Sequence, residues 1–340
     1  MILSLIGINY KTTSLDMREH IHSLRKKLIL FWQSVGSEVA ALSTCNRIEF
    51  YLAFKNLDMF KSAIDLFKKT FPEIYSSFYL KEGRDELIHH ALRLSCGLES
   101  QLIGEKEILS QLRSWVSQDS FPHVLKEIWD EALIRAEDIR VKTGLNEIRE
   151  NISSFVFKDI SQYIDLRSQI NVLVIGTGKV AQLFSENRLP SCDMYFAARK
   201  KHKRALELAK RSKGQAILLD DLASIILKVD VIVGATTSPH HILRKRDLVK
   251  VVLKRKRPLY IYDLAVPRDI EPEIKTIKGV FLKGINDLEI YFKVHKENLT
   301  YNIRLAEVFI NEYVDSFKEN IDAEFYKSRY SSEFTCVSAG

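Results

Sequence analysis

A cysteine set among hydroxyls, an amide and a guanidinium is the first place in this 340-residue chain where chemistry could be done: Ala41-Leu-Ser-Thr-Cys-Asn-Arg47. Cys45 follows the apolar run Val39 to Leu42, at the point where a strand would end and display its next side chain. An ordinary thiol is only a few per cent ionised at pH 7, and a nearby guanidinium favours the thiolate, so Arg47 is the neighbour that would raise its nucleophilicity. The plainer alternative is a buried, inert cysteine.

A second chemical feature lies at Val172-Leu-Val-Ile-Gly-Thr-Gly-Lys-Val-Ala181. An apolar strand runs into Gly176 and Gly178, and Thr177, Lys179, Val180 and Ala181 complete the turn and open a helix. Glycines there allow a tight turn and close backbone approach to a pyrophosphate, which then sits at the helix N-terminus; Ala181 is small enough for the third position of the pattern. The next apolar run ends Ala197-Ala-Arg-Lys-Lys-His-Lys-Arg204, with no acidic residue for a ribose 2′-hydroxyl. Cationic residues there match a 2′-phosphate, so NADPH is the expected cofactor, with Arg199 and Lys200 as its contacts. Lys201 to Arg204, like Lys254 to Arg257, read as a solvated helix face. A nicotinamide contributes hydride and a thiol contributes a covalent acyl intermediate, which together suggest reduction of an activated acyl group through a thioester.

These residues need elements to hold them. Apolar strands near 2–8, 39–42 and 48–54, with helical stretches such as Leu57 to Phe71, make an N-terminal α/β unit; Glu86 to Leu94 and Val124 to Val141 carry the three-and-four spacing of amphipathic helices. From 172 the pattern becomes a regular alternation, with apolar runs at 172–175, 194–197, 216–219, 231–233, 259–262 and 280–282, the signature of a doubly wound parallel sheet. One long helical pattern follows Asp287. The fold class is therefore α/β, in three parts: 1–148, 149–287 and 288–340.

Bulk properties bound the alternatives. With 46% hydrophobic residues the chain can bury a sizeable core. Its four cysteines, Cys45, Cys96, Cys192 and Cys336, include no Cys-x-x-Cys pair, which argues against a zinc site and for a reducing, cytoplasmic setting. No stretch approaches the roughly 20 apolar residues of a membrane span, so no membrane partner is expected. Fifty-one Lys and Arg stand against 44 Asp and Glu, a net charge of +7 that suits a polyanionic partner and leaves RNA binding open.

Four separate blocks resemble the glutamyl-tRNA reductase family: Gly7-Ile-Asn-Tyr-Lys-Thr12, Leu42-Ser-Thr-Cys-Asn-Arg47, Gly97-Leu-Glu-Ser-Gln-Leu-Ile-Gly-Glu105 and Asp263-Leu-Ala-Val-Pro-Arg-Asp269. The resemblance implies an N-terminal catalytic domain, a Rossmann-type NADPH domain and a long C-terminal helix leading to a dimerisation region. It makes Cys45 the nucleophile on the ester joining glutamate to tRNA(Glu). Hydride from NADPH would then release glutamate-1-semialdehyde, the start of tetrapyrrole (porphyrin and haem) synthesis. The family histidine falls on His90, which the resemblance makes the catalytic proton-transfer partner of Cys45; His89 beside it would point about 100° away on a helix, so only one can face the site. Substrate recognition is implied for Thr44, Asn46, Arg47, Ser100, Glu105 and Gln111, with Arg47 suited to the glutamate carboxylate. Arg47 could instead pair with Glu49 or Glu19, and Glu105 could be a helix N-terminal charge. The aminomutase that consumes the semialdehyde is an implied partner for product transfer, as is a second copy of the chain.

The chain departs from the family pattern in places. Tyr10 stands where histidine is common, Lys106 and Glu107 replace Pro-Gln, and Ser110 replaces glycine. Lys106 and Glu107 are carried over only as positions near the substrate, Glu107 adding a charge that repels a carboxylate. The sequence ends at Gly340, so the expected dimerisation region is shortened and the dimer is in question. Two rivals remain: a shikimate dehydrogenase-like NADPH oxidoreductase acting on a free small molecule, and a tRNA-binding regulatory relative without chemistry. Neither explains Ser43 to Arg47 together with Gly176 to Gly178.

Overall fold

The computed structural model describes residues 1–199 and 203–316. Lys200, expected at the cofactor, and the dimerisation region expected beyond residue 316 lie outside the described residues. Two sheets organise the rest. The first is antiparallel, built from β1 (Ile2–Asn9), β2 (Glu38–Ser43), β3 (Arg47–Phe54) and β4 (Tyr79–Glu82) in the order β2-β3-β1-β4. Helices cover both faces, so all eight residues of β3 are buried.

Side-chain alternation sorts the two halves of this core. Ile6, Ile8, Phe50 and Phe54 face Trp32 of the helix Leu15–Ser34 and Phe67 of the helix Leu57–Thr70. Leu3, Leu5, Tyr51 and Ala53 face the helices Arg84–Ser95, Glu107–Val116 and His123–Lys142. Ser14 caps the first helix by accepting a hydrogen bond from the Met17 N–H, which fixes where its first turn starts.

The second sheet is wholly parallel: β5 (Ile170–Ile175), β6 (Cys192–Ala198), β7 (Gln215–Leu218), β8 (Val231–Gly234), β9 (Leu259–Asp263) and β10 (Val280–Gly284), in the order β10-β9-β8-β5-β6-β7. All six expected strands are present, and apolar clusters cover both faces. The chain builds outward from β5 to β7, then returns to the other side of β5 with β8. That reversal opens a crevice at the carboxyl ends of β5 and β8, where doubly wound sheets bind ligands.

After Asp287 the helix Glu289–Asn298 packs on the second sheet through Tyr291 and Phe292, and residues 300–316 are helical again. In that second stretch Ala306, Ile310 and Val314 return to the helices of the first half. The C-terminal helices thus rest on both halves of the molecule. No helix among the described residues is long and apolar enough to cross a membrane.

Candidate active site

Cys45 sits at the tip of the hairpin between β2 and β3. Ser43 pairs with Ile48, the Thr44 N–H bonds the Arg47 carbonyl at 3.0 Å, and the Thr44 hydroxyl accepts from the Asn46 N–H at 3.2 Å. The turn leaves Cys45 exposed, whereas Cys96 and Cys192 are buried.

The helix Leu15–Ser34 backs this tip with Arg18 and His22, four residues apart and therefore on one face. Arg18 Nη1 donates to the Cys45 carbonyl at 3.2 Å and to Asn46 Oδ1 at 3.4 Å, and His22 Nε2 lies 3.0 Å from the Thr44 carbonyl. Neither residue was found from the sequence; the available signal was their spacing on a Ser-capped helix. Around the thiol, Glu105 raises its pKa, and Arg18 and Arg47 pull it the other way.

Arg47 is committed inside the protein. Its Nη1 lies 2.7 Å from Glu49 Oε1, and its Nη2 donates to the Glu99 carbonyl. Glu49 also accepts from Tyr51 at 2.7 Å and Tyr79 at 2.6 Å, and His90 Nε2 lies 3.2 Å from the same carboxylate. Burial alone would raise the Glu49 carboxyl, but Arg47, His90 and Tyr79 hold it well below the usual carboxylate range. Of the two histidines, His90 therefore faces this network. His89 lies toward Arg93 and Glu307. His90, expected as the proton-transfer partner of Cys45, is buried behind Glu49 and lines neither the pocket nor the cleft that Cys45 borders.

The Gly97 to Glu105 block is a closed loop. The Gly104 N–H bonds the Gly97 carbonyl at 3.0 Å, and buried Arg140 donates to the Cys96 carbonyl at 2.7 Å and the Gly104 carbonyl at 2.8 Å. Gly104 has φ +75°, a left-handed backbone that glycine adopts without strain, and the Ile148 side chain packs against it. The loop delivers Ser100 and Glu105 to a pocket of about 110 Å³ beside the cysteine. Thr44, Cys45, Asn46, Arg47, Glu107 and Gln111 also line it, which unites the expected substrate residues except Lys106. Lys106 is exposed and borders none of these cavities, because it precedes the helix Glu107–Val116 and turns outward. Burial pushes the Glu105 carboxyl up to about 7; a bond from Ser100 opposes this and Glu107 adds to it.

Across from the hairpin stands the glycine turn. Gly176 has φ +123°, and a Cβ on it would come within 2.5 Å of the Ala235 carbonyl oxygen. At Gly178 a Cβ would meet nothing nearer than 4.0 Å, so the space before the helix Lys179–Glu186 is free for a ligand. A groove of about 570 Å³ runs along Gly176, Thr177 and Gly178 to Ala198, Arg199 and Arg204. The cradle and its two cationic side chains fit a phosphorylated dinucleotide, with Arg204 joining the expected Arg199. Ala181 does not line this groove; fully buried, it seats the helix on the sheet.

The two halves meet in a cleft of about 870 Å³ lined by Thr44, Cys45 and Gln111 on one side and by Gly178, Lys179 and Val180 on the other. The Asp263 to Asp269 loop forms its floor. Asp263 folds that loop by accepting from the backbone of Ala265 at 3.2 Å and Ile270 at 2.9 Å, and Asp269 accepts from the Thr236 N–H at 2.7 Å. Arg268 then reaches back to the first helix, its backbone N–H bonding Glu19 Oε1 at 2.6 Å and its Nη2 bonding Glu19 Oε2 at 2.7 Å. Lys179 Nζ stands 4.0 Å from Glu107, a second tie across the same cleft.

Residues 6–143 match the family described as glutamyl-tRNAGlu reductase, N-terminal domain, and residues 159–291 match shikimate / quinate 5-dehydrogenase. The chain is 30% identical to a glutamyl-tRNA reductase from Neisseria meningitidis serogroup C over 341 residues, covering 93% of this chain and 79% of the relative. It is 29% identical to one from Sulfurihydrogenibium over 343 residues, covering 95% and 77% respectively. A solved glutamyl-tRNA reductase from Methanopyrus kandleri aligns over 94% of this chain and 80% of its own, at 25% identity and a TM-score of 0.47.

Proposed function

The chain belongs to the glutamyl-tRNA reductase family, and from that premise we propose that Cys45 takes the glutamyl group from glutamyl-tRNA(Glu) as a thioester. The activity is the NADPH-dependent reduction of glutamyl-tRNA(Glu) to glutamate-1-semialdehyde, the first step of tetrapyrrole synthesis from glutamate. The observation that carries the reading is that one cleft is lined by both Cys45 and the Gly178–Lys179 turn.

In the first half-reaction the Cys45 sulfur attacks the ester carbonyl. A sulfur–carbon bond forms, the bond to the ribose oxygen breaks, and the tRNA leaves with a free hydroxyl. A glutamyl ester carries one free carboxylate and one ammonium, and the pocket beside Cys45 has partners for both. We assign the carboxylate to Asn46, Arg47, Ser100 and Gln111, and the ammonium to Glu105 and Glu107. Glu107, whose charge repels a carboxylate, suits the ammonium instead.

Gly176, Thr177, Gly178, Lys179, Val180, Arg199 and Arg204 would hold NADPH, which when bound supplies hydride for reduction of the acyl group. The chain's own task there is to keep the acyl carbon facing the cofactor groove. Arg268 on Glu19 and Lys179 beside Glu107 support this by holding the two walls together.

Finer assignments belong to the same reading: functional units at 1–148, 149–287 and 288–340, a cytoplasmic location, a homodimer, and transfer of the semialdehyde to its aminomutase. The shikimate dehydrogenase-like alternative accounts for the second sheet and leaves the hairpin thiol without a task. The purified protein with NADPH should form the semialdehyde from charged tRNA(Glu) and not from free glutamate. Reduction of free glutamate, or oxidation of shikimate with NADP+, would reject the reading.

A further inference from the structure

The thioester step described above needs a proton acceptor for the thiol and a proton donor for the departing ribose oxygen. His90 lines neither the cleft nor the pocket that Cys45 lines. His22 does: it lines the cleft that holds Cys45, and its ring is fixed to the residue next to the nucleophile by the 3.0 Å contact between Nε2 and the Thr44 carbonyl.

That contact determines the tautomer. A carbonyl oxygen can only accept, so Nε2 carries the proton and, in the neutral ring, Nδ1 is left with its lone pair. The ring stays neutral near pH 7, because burial lowers its pKa, with Arg25 and Arg18 acting in the same direction against the Thr44 bond and Glu19. Cys45 is the titratable group on the hairpin side. Across the cleft stand Lys179, His240, His241, Arg244, Arg268 and Glu271, a predominantly basic wall that also disfavours an imidazolium.

We propose that His22 is the acid–base group of the first half-reaction, an inference that rests on Cys45 being the acyl acceptor. As the sulfur–carbon bond forms, the thiol proton passes to His22 Nδ1, directly or through one water. As the carbon–oxygen bond breaks, the same proton passes to the ribose oxygen. The imidazole ends neutral, the tRNA leaves with a free hydroxyl, and nothing is oxidised or reduced. Arg18 holds the hairpin tip in register for the transfer through the Cys45 carbonyl.

The test is single-turnover release of tRNA from glutamyl-tRNA(Glu) without NADPH, followed from pH 7 to 8.5. His22→Gln keeps an amide N–H for the Thr44 carbonyl and removes the base, so it should melt like the wild type. The wild-type rate should stay nearly level over this range. His22→Gln should be slower by about 10²-fold or more at pH 7 and rise about tenfold per pH unit, as free thiolate takes over. His22→Ala should regain rate on adding imidazole. A wild-type rate and level profile in His22→Gln would overturn the proposal, as would a uniformly slowed profile with no imidazole rescue of His22→Ala. Tracking Cys45→Ser in parallel separates the two claims: release at the wild-type rate in that variant rejects the thioester itself.

Discussion

Arg47 and Glu49 form a buried ion pair, with Nη1 2.7 Å from Oε1, one strand pleat away from the hairpin that displays Cys45. Because the same carboxylate also serves Tyr51, Tyr79 and His90, the pair ties the base of the hairpin to two other elements. The motif arginine therefore does two jobs. It fixes the hairpin from below and presents one edge to the pocket beside Cys45.

Breaking that pair should be costly. Glu49→Gln leaves a buried guanidinium without its counter-charge and should lower stability by about 3–5 kcal/mol in urea unfolding at pH 7. The pH dependence has a defined sign: the folded carboxyl lies below its unfolded value, so its contribution is complete above roughly pH 4.3 and is lost as pH falls further. The gap between wild type and Glu49→Gln should therefore narrow on acidification below pH 4.

His90 is assigned a positioning role. His90→Ala should cost about 1–3 kcal/mol by removing a partner of Glu49. The pH profile of tRNA release should keep its wild-type shape, in contrast to His22→Gln. A changed shape in His90→Ala would return the proton-transfer role to that residue.

Glu105 gives the opposite pH signature. Its folded pKa, about 7, lies above the unfolded value of roughly 4.3, so the folded state binds the extra proton and stability falls as pH rises between the two. Glu105→Gln removes this loss. The melting temperature of the variant should gain on that of the wild type from pH 4.5 to 7 and then run parallel to it. The same variant should raise KM for glutamyl-tRNA, since an ammonium partner is gone.

Arg199 and Arg204 border the groove that leads from the glycine turn. Replacing both by alanine should weaken NADPH binding by about 10-fold or more, the size of one or two charge-assisted bonds, and leave NADH binding nearly unchanged. Equal losses for the two cofactors, measured by fluorescence titration, would remove the 2′-phosphate from these side chains.

The sequence made the parts of this site visible more readily than their connections. Short apolar runs located all six parallel strands, and Gly176 with Gly178 located the turn, because buried strands and glycine turns leave local signatures. Cys45 was legible for the same reason, at the end of an apolar strand. Glu49 was legible only as a possible partner of Arg47: its burial in a strand covered on both faces breaks the alternation rule, and Tyr51, Tyr79 and His90 brought together in space complete the explanation. The spacing of Arg18 and His22 put them on one helix face, but their contacts with the hairpin and the bond from Arg268 to Glu19 depend on how that helix sits against loops far along the chain. Lys106 was overread, since its neighbours on both sides line the pocket and it turns away.

The central claim is that glutamate rests on Cys45 between tRNA and hydride. It is tested most directly by quenching the protein with isotopically labelled glutamyl-tRNA(Glu) in the absence of NADPH and mapping the acylated peptide by mass spectrometry. The account predicts one glutamyl adduct, on Cys45, that disappears on adding NADPH as the semialdehyde forms. An adduct on another residue, or full turnover by Cys45→Ser, would contradict it.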